Sequence, residues 1–269
     1  MPLNIVCCVK QVPDPETPAS AFRVDEAAKK VIPAPGIAPV ISQFDQLAVE
    51  AALRIRDAGN EAKITVLGLG PESARDVIKT GLAMGADEGV LLNDAALFDG
   101  DSYSTAVALA AAIEKLGPVD IVICGRQATD WDCGVTGLAI AELLGLASIH
   151  ITRSVGVVDG KVQAERVLSD AFETVEVATP CVVTVSNELG EPRYPKLPQI
   201  MAAARKQVAI WTAADLGVSA DQVGAAGARL SLERLYIPQV NSQCELIGGD
   251  GPEELAANLA AKLREAKLI

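Results

Sequence analysis

Residues 120–144 read DIVICGRQATDWDCGVTGLAIAELL, and this stretch decides the fold class. It begins with a short apolar run at Asp120–Cys124, which is typical of a strand buried on both faces of a sheet. A polar loop follows at Gly125–Asp132, and small and aliphatic residues then continue through Gly134–Leu144 as a predicted helix. The stretch therefore predicts one strand–loop–helix unit of an α/β sheet.

The same alternation continues on the N-terminal side of this unit. Apolar runs predict strands, apolar residues at helical spacing predict helices, and Gly or Pro marks most of the boundaries. The predicted strands are Leu3–Val9, Lys63–Leu69 and Gly89–Leu92, and the predicted helices are Ser42–Gly59, Pro71–Met84 and Ser102–Leu116. Ser42 is interpreted as the N-cap of its helix, with Asp45 as its capping-box partner. Alternation of this kind predicts an α/β fold with a mainly parallel sheet.

The pattern changes after about Ala147. Runs at 148–157, 161–167 and 173–177 predict meander strands, and Cys181–Val185 predicts a return to a buried strand. Residues 209–240 show weak periodicity and no clear contribution to a core.

A last helix is predicted at 250–267, with an apolar stripe of Leu255, Leu259 and Leu263 that suits either docking on another protein or packing on its own domain. We therefore divide the chain into an α/β domain at 1–200 and a C-terminal arm and helix at 201–269.

Composition limits the possible partners. The net charge of −12 disfavours nucleic acid and anionic membrane surfaces as partners. No apolar stretch approaches the roughly 18 residues that a membrane span requires. A single histidine and six cysteines without a CxxC pair give no support for a metal site. We expect a soluble cytoplasmic protein of bacterial or archaeal type, without direct membrane insertion, whose cysteines are mostly small buried residues.

The loop before the predicted helix at Gly134–Leu144 is a candidate nucleotide site. Small residues at Gly134–Gly137 expose backbone N–H groups at a helix start, where the helix dipole favours an anion. Asp130 and Asp132 are suited to accept hydrogen bonds from ribose or adenine. The loop is neither a P-loop nor a GxGxxG motif, so a capped helix start with solvated aspartates explains the residues equally well.

Residues for bond-making chemistry are missing from the sequence. It contains no GxSxG or HExxH motif and no Ser/His/Asp set, and the lone His150 lies in a strand-like run. This composition favours a binding or carrier protein over a hydrolase.

Five ordered segments resemble the electron transfer flavoprotein beta-subunit family. The most specific is Asn187–Met201, which reads NELGEPRYPKLPQIM and is similar to the NEPRY-type and LPxIM-type segments of that family. The others are VCCVKQVPD, FDQLAVEAALRIRD, TGLAMGADEG and CGRQATDWDCGVTG. The resemblance covers nearly the whole chain and implies a Rossmann-like, adenine-nucleotide-binding three-layer sandwich with a C-terminal arm.

The resemblance also implies partners and cofactors. It implies a heterodimer whose alpha subunit holds most contacts to a redox-active FAD, while the beta subunit binds AMP and its arm wraps around the partner. Electrons would pass from acyl-CoA dehydrogenases or similar flavoenzymes to a membrane quinone oxidoreductase, as in fatty acid β-oxidation. Leu197 is implied as the apolar anchor for acyl-CoA dehydrogenases, and Glu173 as a residue that biases the orientation of the flavin domain.

Carried over by motif position, the nucleotide contacts fall on three short segments and one loop. They are Cys8, Ser42, Gln43, Phe44, Asp45, Leu69, Gly125, Arg126, Gln127, Ala128, Thr129, Asp130, Trp131, Asp132, Cys133, Gly134, Val135 and Thr136.

Departures from the family pattern leave open whether the nucleotide site binds AMP or a second FAD. Ser42-Gln43 stands where many members have Asn-Pro, and Trp131 stands where electron-bifurcating members have a small residue. Bifurcating members bind a second FAD in place of AMP and reduce ferredoxin at the expense of NADH. A bulky Trp131 is expected to favour AMP, although an indole can also stack on a flavin. A free-standing nucleotide-binding protein of the same fold is a third hypothesis.

Overall fold

The computed structural model describes residues 2–239 and 243–269, so residues 240–242 of the predicted arm lie outside the described part of the chain. The strands are β1 Leu3–Val9, β2 Gln11–Val12, β3 Arg23–Asp25, β4 Lys30–Ile32, β5 Val40–Ile41, β6 Ala62–Leu69, β7 Glu88–Leu92, β8 Ile121–Gly125, β9 Ala147–Val158, β10 Lys161–Val167, β11 Phe172–Ala178, β12 Cys181–Val185 and β13 Ala209–Trp211. The helices are α1 Gln43–Asp57, α2 Arg75–Met84, α3 Ser102–Leu116, α4 Thr136–Leu144, α5 Leu197–Arg205, α6 Ala213–Leu216, α7 Gly224–Gly227 and α8 Pro252–Glu265. Within the described ranges, no helix combines the length and the apolar character needed to cross a membrane.

Nine of these strands form one sheet in the order β11-β10-β9-β12-β8-β1-β6-β7-β13. Neighbouring strands from β9 to β13 in this order pair in parallel. In contrast, β10 pairs antiparallel with both β9 and β11, and this is the predicted meander. The predicted α/β class with a mainly parallel sheet is therefore confirmed.

Helices cover both faces of the sheet and give the predicted three layers. One hydrophobic cluster contains buried residues of α1, α2 and α5, and the other contains buried residues of α3, α4 and α6. Successive residues of a strand point to opposite faces, so Cys7 of β1 belongs to the first cluster and Cys8 to the second. The central strands are buried on both sides, which explains their unbroken apolar sequences.

The strand order reverses direction beside β1. From β1 the chain passes through α1 to β6 and then to β7 on one side, and it returns with β8 to the other side of β1. In an open parallel sheet, a reversal of this kind leaves a crevice beyond the carboxyl ends of the two strands. The topology therefore predicts a ligand crevice where β1 and β8 end.

Residues after Pro198 contribute to the sheet and to the core. Strand β13 pairs in parallel with β7 at one edge of the sheet, and Ala213 and Val223 are buried in the second hydrophobic cluster. The expectation that residues 209–240 lack a clear core contribution is therefore wrong for these positions. Isolated small residues without a periodic pattern make these contacts, so the sequence pattern gives no signal for them.

The chain divides into two compact units, one ending at Leu235 and the other comprising residues 236–269. The second unit contains α8, and none of this helix's described residues is buried. Lys262 of α8 pairs with Glu245 at 2.8 Å, and the Asn258 side-chain amide donates to the carbonyl of Gly248. Leu255 and Leu259 remain exposed on α8.

A buried acid on α1 fastens the segment that carries the most specific family motif. The carboxylate of Glu50 accepts hydrogen bonds from the Arg193 side chain at 2.7 Å and from Arg54 at 2.9 Å. Arg54 also donates to the carbonyls of Leu189 and Glu191. Burial alone raises the pKa of Glu50, but the hydrogen bonds from Arg193 and Arg54 outweigh it and hold this pKa below its usual value.

Glu50→Gln is expected to destabilise the protein by roughly 1–3 kcal/mol at neutral pH, because two arginines lose their shared carboxylate. The folded-state pKa of Glu50 is lowered, so its contribution to stability is present above the unfolded value of about 4.3 and is lost as the pH falls through the folded value. Urea unfolding at several pH values should therefore show that the free energy of unfolding decreases less on acidification in the variant than in the wild type. An equal decrease in the free energy of unfolding in both proteins would contradict this role of Glu50.

Candidate functional site

The carboxyl ends of β1 and β8 are tied together by the side chain of Asp45. Asp45 lies in the first turn of α1 and is only 7% exposed. One carboxylate oxygen accepts a hydrogen bond from the backbone N–H of Lys10 at 2.9 Å, and the other accepts from the N–H of Gly125 at 3.2 Å. A single carboxylate thus joins the start of α1 to both strand ends that border the crevice.

The environment of Asp45 raises its pKa to about 7. Burial is the largest cause, because it removes water from the charged form. The two backbone N–H groups and the Lys10 ammonium lower this pKa, and the negative charge of Asp130 raises it. The pKa of Asp45 therefore responds to the charge held at the crevice.

The predicted capping box of Ser42 and Asp45 is wrong. Ser42 is the N-cap of α1, but its side chain makes no capping bond, and the Asp45 N–H donates to the Ser42 carbonyl instead. The reciprocal bond from the Asp45 side chain is also missing, because that carboxylate is turned toward Lys10 and Gly125. Ser42 is fully buried, and its hydroxyl finds no hydrogen-bond partner within the described residues. An unpaired buried hydroxyl costs free energy unless a group from outside the chain bonds to it.

The loop after β8 is held by short local bonds and by one ion pair. The Lys10 ammonium lies 2.7 Å from a carboxylate oxygen of Asp130, so the pair bridges the crevice from β1 to the loop. The Gln127 amide donates to the Asp132 carboxylate at 2.8 Å, and the Asp132 N–H donates to the carbonyl of Ala128. Trp131 is 48% exposed on this loop.

Helix α4 begins later than the sequence predicts. It starts at Thr136, and Gly134 precedes it with a φ of +66°, a left-handed conformation that suits glycine. The predicted first turn at Gly134–Gly137 is therefore corrected to a turn that leads into the helix. The N–H groups in the first turn of α4 have no carbonyl partner within the helix, so this end retains its capacity to bind an anion.

Gly137 allows α4 to lie directly on the strands. A Cβ atom on Gly137 would lie 2.9 Å from the Thr184 side chain and 3.2 Å from the Cβ of Cys124. The N-terminal end of α4 is thus brought close to the end of β8.

Arg126 fastens the loop to the end of β12. Its backbone N–H donates to the carbonyl of Val185 at 2.8 Å, and its guanidinium donates to the Ser186 hydroxyl at 3.4 Å. The guanidinium also lies over the ring of Phe44, 5.8 Å from the centroid. These contacts place Phe44 and Arg126 side by side at the start of the loop.

Cys8 and Cys124 lie side by side on β1 and β8 and are both buried. The hydrogen bond with Cys8, together with burial, raises the pKa of the Cys124 thiol well above its usual value. Leu69 ends β6, the other neighbour of β1, and packs against the same cluster as these two cysteines. Cys8, Cys124 and Leu69 therefore belong to the apolar layer below the crevice.

The structure brings most of the predicted nucleotide residues together around one crevice. The residues on or next to strands β1 and β8 and on the loop share this edge of the sheet, and Gln43 lies exposed at the start of α1. Cys133 and Val135 are exposed on the loop, and Ala128 and Thr129 are partly buried there.

The two predicted docking residues belong to other elements. Leu197 begins α5 and is 69% exposed, and Glu173 lies on the edge strand β11, 3.4 Å from Arg166.

Two residues of the site were missed by sequence reasoning. Lys10 pairs with Asp130, and Ser186 contacts the Arg126 guanidinium. Lys10 directly follows β1 and Ser186 directly follows β12. A polar residue at the carboxyl end of a buried strand is the sequence signal that could have identified both. Within the described ranges, no cluster of His, Cys, Asp and Glu side chains is suited to hold a metal ion.

The family relationship is decided by comparison with known proteins. A family model described as the electron transfer flavoprotein domain matches residues 36–216. This chain belongs to the electron transfer flavoprotein family. The match includes α1, the loop after β8 and the segment at Asn187–Met201.

Relatives of known name match over the whole length. The electron transfer flavoprotein subunit beta of Thermoanaerobacterium thermosaccharolyticum is 38% identical over 268 residues, and that of Megasphaera elsdenii is 36% identical over 275 residues. The caffeyl-CoA reductase-Etf complex subunit CarD of Acetobacterium woodii is 33% identical over 267 residues. Each comparison covers 99% of this chain and all of the relative. The chain is therefore a member of the beta-subunit branch of this family of electron-transfer proteins.

Gly125→Ala is expected to destabilise the protein by roughly 1–3 kcal/mol, because the added methyl group overpacks the crevice. Its Cβ would lie 2.5 Å from an Asp45 carboxylate oxygen and 2.7 Å from the backbone carbon of Phe44. Gly156→Ala is the matched control, since its Cβ would meet no atom closer than 4.0 Å. Urea unfolding of both variants measures the difference, and equal stabilities would contradict the close contact of α1 with β8.

Proposed function

We propose that this chain is the beta subunit of a heterodimeric electron transfer flavoprotein and binds AMP structurally in the crevice between β1 and β8. The alpha subunit of the heterodimer holds the redox-active FAD, and this chain helps to enclose it. The complex carries electrons in the cytoplasm from acyl-CoA dehydrogenases or similar flavoenzymes to a quinone-linked oxidoreductase, as in fatty acid β-oxidation. The observation that carries the proposal is a crevice with anion-binding groups in a member of this family.

The residues at the crevice fit an adenine nucleotide. The first turn of α4 supplies unpaired N–H groups for a phosphate, and the Thr136 hydroxyl lies at the same helix start. Asp130 and Asp132 supply acceptors for ribose or adenine groups. A nucleotide bound here orders the loop without taking part in electron transfer.

Trp131 favours AMP over a second FAD. Its indole is 48% exposed on the loop after β8, and we infer that a side chain of this size obstructs an isoalloxazine ring at the loop. The nearby Val135 is also large and exposed.

A bifurcating subunit with a second FAD is the other candidate function. It is favoured by the full-length relative that is named as a subunit of a caffeyl-CoA reductase-Etf complex. In that case the same crevice would hold the adenine part of FAD, and Trp131 would stack on the flavin.

The second unit supports the proposal of a larger partner. Helix α8 carries Leu255 and Leu259 on one stripe, and none of its described residues is buried. Covering such a stripe on an alpha subunit would bury apolar surface that is otherwise in water. A stable monomer with a folded C-terminal unit would instead favour a free-standing nucleotide-binding protein.

The complex with its alpha partner, expressed together and then denatured, is expected to release one FAD and one AMP per heterodimer. Chromatography of the released nucleotides measures both. Two FAD and no AMP would overturn the AMP proposal and favour the bifurcating function.

Leu197→Ala is expected to slow electron transfer from an acyl-CoA dehydrogenase several-fold, because truncation at a docking hot spot costs about 1–2 kcal/mol or more. The side chain is 69% exposed, and Tyr194 and Met201 on either side of it in the sequence are also exposed, so it can enter a pocket of the partner. Leu143→Ala on α4 is the control, since this leucine is also exposed on a helix. Steady-state reduction of the complex measures the rate, and equal rates for both variants would argue against docking at Leu197.

Glu173 is proposed to bias the orientation of the flavin domain.

A further inference from the structure

The arrangement around Asp45 leaves a buried negative charge without a cation of its own. The carboxylate is held by two backbone N–H groups, which are dipoles rather than charges. The nearest ammonium, that of Lys10, makes its ion pair with Asp130 at 2.7 Å. The Arg126 guanidinium is turned to Phe44, Ser186 and Gln127. The cationic groups near Asp45, the Lys10 ammonium and the Arg126 guanidinium, are therefore both engaged with other partners.

The other titratable groups that face Asp45 are thiols and do not neutralise it. Cys7 of β1 and Cys124 of β8 both interact with the charge of Asp45, and burial is a cause of the raised pKa of each thiol. Further along α1, the charge of Glu50 is compensated by Arg54 and Arg193. The charge state of Asp45 is thus decided by burial, by the two N–H groups, by Lys10 and by Asp130.

A bound nucleotide changes the charge around Asp45 and leaves its burial as it is. Burial is the largest cause of the raised pKa of Asp45, and it is already nearly complete in the free protein, where the residue is only 7% exposed. The negative charge of Asp130 raises the same pKa, and Asp130 pairs with Lys10 where the loop meets the end of β1. A phosphate bound at this edge of the sheet adds a second negative charge, which favours the protonated acid of Asp45.

We propose that Asp45 takes up a proton when an anionic nucleotide binds in the crevice, so that nucleotide affinity is coupled to pH through this one side chain. The inference rests on the proposed nucleotide site, and it assigns to Asp45 a positioning role and not a direct contact with the phosphate. As a carboxylate, Asp45 holds both strand ends. As an acid, it keeps one N–H bond through its carbonyl oxygen and no longer repels the ligand.

The sign of the pH dependence follows from linkage. The pKa of Asp45 is about 7 in the free protein and rises on binding, so affinity increases as the pH falls from above 8 toward 6. A rise of one pKa unit would make binding about tenfold tighter at the lower pH.

The test is calorimetry of AMP binding to the nucleotide-depleted heterodimer at pH 7.5 in buffers with different heats of ionisation. The dependence of the observed heat on the buffer gives the number of protons taken up. We expect uptake by the wild-type complex to exceed that of Asp45→Asn, whose amide cannot titrate. The phosphate of AMP contributes equally to both, so the difference belongs to Asp45.

Asp120→Asn is the matched control. Asp120 also accepts a backbone N–H from β1, that of Asn4 at 2.7 Å, but at the opposite end of the same pair of strands. On binding AMP, the complex that carries Asp120→Asn should take up as many protons as the wild-type complex. AMP binding with equal uptake by the wild-type complex and Asp45→Asn would overturn the coupling and leave the nucleotide site intact. A wild-type complex that binds no AMP would overturn both.

Infrared difference spectra keep the test decisive if Asp45→Asn fails to fold. AMP added to the wild-type complex should produce the carbonyl band of a protonated carboxylic acid. Asp130→Asn removes a charge that raises the pKa of Asp45, so this band should appear only at lower pH in that variant. A wild-type spectrum without the band would overturn the proposal.

Discussion

The parallel pairing of β1 with β6 on one side and β8 on the other is the constraint on which the rest of the structure depends. It buries β1 on both faces, so its residues must be small or aliphatic, as Cys7 and Cys8 are. It also sets the point at which the strand order reverses, and hence where the sheet opens at its carboxyl edge. The crevice is therefore a result of chain topology, and loop residues only line it.

Small residues convert this topology into a site. Aromatic residues make up only 3% of the chain, so the layers approach each other through Ala, Gly and aliphatic side chains. Gly125 lets α1 approach β8, and Gly137 lets α4 approach β8 and β12. The first turns of both helices consequently reach the same edge of the sheet. One brings a buried carboxylate, and the other brings unpaired N–H groups.

Much of the fold could be predicted from sequence because its signals are local. The apolar run at Leu3–Val9 and the helix at Ser102–Leu116 match the structure at both ends. The role of Asp45 could not be predicted, because its partners Lys10 and Gly125 lie 35 and 80 residues away and compete with the nearby Ser42. The buried Val223 was missed because it follows no periodic pattern. Composition predicts the loop after β8, but it also predicts helix at Gly134, where the structure has a left-handed turn.

Helix α1 connects the two kinds of interaction that the proposed function needs. Its first turn carries Asp45 at the crevice, and its later turns carry Glu50 and Arg54, which hold the segment around Arg193. That segment leads directly into α5 and the exposed Leu197. Helix α1 thus connects the proposed nucleotide crevice with the segment that leads to the proposed docking surface. Because the helix is continuous and its inward residues are buried, a nucleotide that stabilises its start would also stabilise that segment. The proposed nucleotide would then have a structural use that requires no chemistry from it.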